Sequence, residues 1–82
     1  MLRLSVIPRA EFMPSSYAGL RLVRRFHRWD AWSGRRNGRL FLILEEYIRL
    51  RVTLCEFDDP QEYAQDRRVL ETLPGLPGQT RV

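Results

Sequence analysis

One cysteine, one histidine and no lysine set the first limits on this chain. A single cysteine, Cys55, excludes an internal disulfide framework. Cys55 and His27 supply too few ligands for a zinc site, and no zinc-ligand spacing is present. No apolar run reaches the ~18 residues of a membrane span. The opening stretch MLRLSVIPRAEF lacks the long apolar segment of a signal peptide. Phosphate-loop and dinucleotide-binding fingerprints are missing, and there is no internal repeat. A cytoplasmic setting without membrane contact is the default these absences leave. Eighty-two residues allow one domain, near the lower limit at which a single core suffices. With 44% hydrophobic and 29% charged residues, wholesale disorder is not expected.

All fourteen basic residues are arginine. A GC-rich coding genome gives that bias, and so does selection for bidentate contacts to phosphate or carboxylate. The charge is uneven along the chain. Residues 1–44 hold nine arginines against Glu11 and Asp30, a net +7, and residues 45–82 hold five against eight acids, a net −3, which together make the overall +4. The asymmetry points to an acidic partner for the N-terminal half.

The longest apolar stretch, residues 39–57 (RLFLILEEYIRLRVTLCEF), is the expected core. Within it Ile48, Leu50, Val52 and Leu54 alternate with Arg49, Arg51, Thr53 and Cys55, the pattern of a strand with one buried face. On a helix, Ile48 and Val52 would point about 200° away from Leu50 and Leu54. Leu50→Asp is therefore expected to remove stability on the order of the whole domain's. The unbroken run Leu40–Leu44 suits a strand buried on both faces or a helix segment. Asn37-Gly38 before it is a turn signal, and Glu45-Glu46 is read as the bend of a hairpin.

Residues 2–7 alternate and read as a short strand ending at Pro8, with residues 8–14 as a connection. Ser15 or Ser16 is the expected cap of a helix over residues 17–29. On a helical wheel Leu22, Val23, Phe26 and Trp29 fall within about 120°, and Arg21, Arg24, Arg25 and Arg28 within about 100° on the opposite side. Residues 30–38 read as a loop. Asp59 as N-cap, Pro60 at the first position and Glu62 at the third predict a second helix, with Tyr63, Val69, Leu70 and Leu73 as its apolar stripe.

The expected fold is α+β. It is a small two-layer β-α-β-β-α domain over residues 1–73, with a three-stranded antiparallel sheet, two helices on one face, and residues 47–57 in the middle. Residues 74–82 are expected to form a flexible C-terminal tail. The element order resembles a ferredoxin-like unit without its last strand.

No catalytic constellation is apparent. Cys55 reads as a strand filler and His27 as a helix-flank residue. The pairs Glu45-Glu46 and Asp58-Asp59 read as a bend and a cap rather than as acid and base. The sequence therefore predicts a non-enzymatic binding module without metal or cofactor. Its candidate contacts are Arg21, Arg24, Arg25 and Arg28, followed by Trp32, Arg35, Arg36 and Arg39. Trp29 lies on the apolar side of the wheel and is expected in the core. Arg49, Arg51 and Thr53, with Arg3 and Ser5, are expected on an open sheet face that is also a candidate homodimer surface. Arginines interleaved with aromatics suit nucleic acid. The rival expectation is a small accessory or inhibitory protein of a phage or mobile element, docking on an acidic partner surface. The end Thr80-Arg81-Val82 resembles the short signature PDZ domains take by strand addition.

Overall fold

Asn37 and Gly38 form the tight turn the sequence announces, with φ of 53° and 76°. Two successive positive φ values are what a two-residue hairpin turn of right-handed twist requires. The turn joins β3 (Trp29–Arg36) to β4 (Arg39–Glu46). A computed structural model describes residues 2–72. Its remaining elements are β1 (Leu2–Pro8), 3-10 turns at Arg9–Glu11 and Pro14–Ser16, β2 (Ala18–Arg25), β5 (Arg51–Phe57) and α1 (Pro60–Thr72). The expected tail at 74–82 and the Thr80-Arg81-Val82 signature lie outside the described residues.

The five strands form one antiparallel sheet in the order β1-β5-β4-β3-β2. Three consecutive residues of β4 are buried: Phe41, Leu42 and Ile43. Phe41 and Ile43 face one side with Tyr17, Val52 and Leu54, against which Ile7, Phe12, Leu20 and Trp32 pack. This is the loop face, covered by the segment between β1 and β2: Tyr17 stands edge-on to Phe41 at 5.3 Å and Phe12 lies 5.9 Å from Tyr17. Leu42 points the other way with Leu44 and Cys55, toward Val69 and Leu70 of α1. Phe57 meets Tyr63 edge-to-face at 5.8 Å on this helix face. Asp59 caps α1 as expected, its Oδ1 accepting from the Gln61 amide at 2.9 Å.

The three-stranded, two-helix expectation is overturned: the sheet has five strands, and α1 is the one α-helix among the described residues. The error lies between residues 15 and 36. Ser15 and Ser16 belong to a 3-10 turn, residues 18–28 form β2 and the turn after it, and residues 29–36 form β3 rather than a helix end and a loop. Two register shifts explain the false helical signal. Ala18, Arg21 and Arg24 pair with Arg35, Ser33 and Ala31, so each bulge sets three residues of β2 against two of β3. A strand bulged twice repeats its face every third residue, which on a wheel resembles a 3.6-residue period. Gly19, with φ of 60°, supplies the left-handed conformation at the first bulge. Gly34, which read as a loop residue, is needed for close packing. A Cβ there would lie 3.2 Å from Leu20 Cδ1 and 3.4 Å from Tyr17 Cβ.

The second hairpin is real but its turn falls later than Glu45-Glu46, which end β4. The turn is residues 47–50, with Leu50 at φ 51°. Ile48 and Leu50 are therefore 67% and 58% exposed rather than core. Arg3 and Ser5 pair with Glu56 and Leu54, so they share the loop face of the core and do not join Thr53. No helix among the described residues is long and apolar enough to cross a membrane.

Ile43→Ala should cost about 2–5 kcal/mol, because it empties a fully enclosed site between both sheet neighbours. Leu50→Asp should change stability by only about 0.5 kcal/mol, since the exposed side chain already meets water. Urea unfolding of the two variants checks the contrast.

Candidate functional site

The fold brings the acidic half of the chain onto the basic half. Strand β5 lies between β1 and β4, and Glu56 and Asp58 thereby meet Arg3 and Arg39. Glu45 holds Arg9 at 2.7 Å, and Glu46 holds Arg51 at the same distance. Part of the acidic partner expected for the N-terminal half is therefore the C-terminal half itself.

Asp30 and Glu45 are direct cross-strand neighbours on β3 and β4, an arrangement that repels unless each charge is answered. Each has its own cation. Asp30, 1% exposed, accepts from Arg25 Nε at 3.1 Å and Nη2 at 3.3 Å, and from the Tyr47 hydroxyl. Glu45 accepts from Arg9 Nε and, at 3.3 Å, from Trp32 Nε1. The Arg9 guanidinium also lies 5.4 Å from the Tyr47 ring centre. Burial first, then the Asp30 hydrogen bond and nearby carboxylate charge, push the Tyr47 phenol up to about 12. This end of the loop face is a closed structural network.

The expected site residues are accordingly dispersed. Arg25 is committed to Asp30, Arg39 to Glu56 and Asp58, and Arg51 to Glu46. Arg36 lies over the rings of Tyr17 and Phe41 at 4.9 and 5.1 Å. Trp32 is half-buried, its indole nitrogen engaged by Glu45. Trp29 stacks on Phe26 at 3.8 Å where β2 turns into β3. Arg28 and Arg49 sit together at one end of the sheet, beside Trp29, Glu46 and Ile48. Arg21 and Arg35 remain. They make no ion pair among the described residues.

These two arginines line a cleft of about 430 Å³ between β2, β3 and α1, together with Ala18, Gly19, Ser33, Gly34, Leu40, Tyr63 and Arg67. The bulges of β2 put Arg21 on the helix face. Opposite it, the i,i+4 spacing of Tyr63 and Arg67 puts both on the side of α1 that looks into the cleft. Arg67 donates to Tyr63 Oη at 3.4 Å and to Glu71 Oε2 at 3.1 Å. Arg24 ties β2 to α1, donating to the Glu71 carbonyl at 3.3 Å. Three guanidinium groups and two hydroxyls line the cleft, and none of its lining residues is a carboxylate, histidine or cysteine. Such a site can receive an anion through forked N–H donors, and its walls carry no general base. Tyr63 and Arg67 were missed in the sequence because Tyr63 counted toward an apolar stripe and Arg67 lies in the acidic half. Their four-residue spacing was the available signal.

Cys55 is half-buried beneath α1, which pushes its thiol up, and β4 lies between its strand and β3, which follows the turn that carries His27. No group of three or more His, Cys, Asp or Glu side chains among the described residues is placed to hold a metal ion. In comparisons with known proteins, no family model, no curated protein and no solved structure matched the chain.

The Tyr47 environment fixes an alkaline limit. The folded state keeps this phenol neutral above its ordinary value of about 10. Its contribution is complete below about pH 10 and is lost as pH rises toward about 12. Ultraviolet titration should show one phenolate appearing near pH 12 that is missing in Tyr47→Phe. Complete tyrosine ionisation near pH 10 in the folded wild type would contradict the network.

Proposed function

We propose that the protein is a non-catalytic binding module that docks on nucleic acid and seats backbone phosphate in the cleft between β2, β3 and α1. The observation that carries the reading is the pair Arg21 and Arg35, which line one concave surface without a carboxylate partner, while Arg3, Arg9, Arg25, Arg39 and Arg51 are held by carboxylates within the fold. Arg67 adds a third charge. Its pairing with Glu71 is a partly exposed i,i+4 contact, worth only about 0.3–0.5 kcal/mol and readily exchanged for a phosphate. The cleft volume suits a phosphate and its sugar better than a flat protein surface. Tyr63 offers a hydroxyl and a ring edge within the same walls. Arg28 and Arg49, on turns at the opposite end of the sheet, extend the basic track. Contacts of this kind position a nucleic acid without reading its sequence.

Titration of labelled random duplex DNA at three salt concentrations tests the reading. Affinity should fall steeply with salt, and Arg21→Ala and Arg35→Ala should each flatten the log–log slope by about 0.7–0.9. The losses should be alike for unrelated sequences. Arg39→Ala, whose side chain is already held by Glu56 and Asp58, should bind within a small factor of wild type. Failure of the wild type to bind at about 50 mM salt would remove the nucleic-acid reading. Capture of an acidic protein that DNA does not displace, dominated by one or two arginines, would replace it with protein docking.

A further inference from the structure

The two edges of the sheet are treated differently. Edge strand β2 carries two bulges and the exposed arginines Arg21 and Arg25, the devices by which edges are kept from pairing. Edge strand β1 has no bulge and a single arginine. Its seven residues pair with β5 in unbroken register, and its one charge, Arg3, is held by Glu56 at 3.5 Å and Asp58 at 4.0 Å. Its helix-face side chains are open: Leu2, Leu4 and Val6 are 38%, 65% and 58% exposed. The Arg9 amide donates to the Leu50 carbonyl at 2.8 Å, continuing the β1–β5 register. Antiparallel ladders alternate, so Arg3, Ser5 and Ile7 bond to β5. The main-chain groups of Leu2, Leu4 and Val6 point outward, where nothing pairs with them among the described residues.

We infer that this edge pairs with the β1 edge of a second copy of the chain, antiparallel about a two-fold axis at Ser5. The strand maps onto itself there. Leu4 falls opposite Val6 on both sides of the axis, as outward-pointing pairs able to exchange both main-chain hydrogen bonds. Leu2 falls opposite Pro8, whose carbonyl accepts and whose missing N–H is not required for that bond. The six helix-face side chains of the two strands then form one continuous apolar strip. Each Arg3 lies four residues from the other along the strand, roughly 14 Å, beyond the ~8–10 Å screening length. The chain's own residues 73–82 (LPGLPGQTRV) are a poor alternative, since their prolines and glycines interrupt strand pairing.

Sedimentation equilibrium of the full chain over a concentration series tests the inference, with amide exchange followed residue by residue. A reversible dimer is expected, and the Leu2, Leu4 and Val6 amides should become protected as concentration rises. Arg3, Ser5 and Ile7 should be protected throughout. Val6→Pro removes only an outward N–H, and Leu4→Lys brings two charges to the axis at an exposed position. Each should weaken dimerisation at least tenfold with an unchanged circular dichroism spectrum. A monomer up to about 1 mM would overturn the proposal, as would a dimer that both variants leave intact.

Discussion

A strand that is apolar on both faces can persist only if both its edges are paired and both its faces are covered. Strand β4 imposes that condition on the whole molecule. Its Phe41, Leu42 and Ile43 are successive buried residues, so one sheet face must supply Tyr17, Val52 and Leu54 while the other receives α1. Both edges of β4 need hydrogen-bond partners, because a buried main-chain group without one is costly. Strand β5 satisfies one edge and β3 the other. The segment that follows the helix pattern in isolation is drawn into the sheet by this demand, and β2 comes with it through the short turn closed by Phe26 on Trp29.

The same topology organises the charges. Interposing β5 between β1 and β4 brings acids from late in the chain against arginines from early in it. Neighbouring carboxylates at Asp30 and Glu45 would repel across the strands without Arg25 and Arg9. Internal neutralisation, rather than total charge, therefore decides which arginines face solvent alone. A net charge of +4 spread over 82 residues says little about a partner. Two uncommitted guanidinium groups in one concave cleft say more, because their position is fixed by β2 bulges and an α1 flank.

Several parts of this arrangement were legible in the residues. Asn37-Gly38 marked its hairpin because both positions need positive φ. Asp59-Pro60 marked the start of α1 because the cap and the first-turn proline act locally. The alternation of Val52 and Leu54 gave β5, and that of Leu2, Leu4 and Val6 gave β1. Of the cleft, Arg21 and Arg35 were among the residues read as contacts. Tyr63 and Arg67 were not, because their role arises only when α1 lies beside β2 and β3. Arg25, Arg39 and Trp32 looked equally available, and nothing in their spacing reveals the carboxylates that engage them.

By itself the sequence determined the local events: the Asn37-Gly38 turn, the helix cap and the alternating strands, whereas the middle of the sheet, expected at residues 47–57, is β4. The local events depend on residues within a few positions of one another. The tertiary structure made a strand of residues 30–36, which read as a loop, and decided the identity of residues 17–29, since their three-residue period fits a helix wheel and a doubly bulged strand equally well. Only the open edge of β4 separates the two. It decided also which arginines are spent on internal pairs, because those carboxylates lie up to 55 positions away, as Asp58 does from Arg3. Burial and charge pairing between distant segments are properties of the packed sheet, and no local pattern carries them.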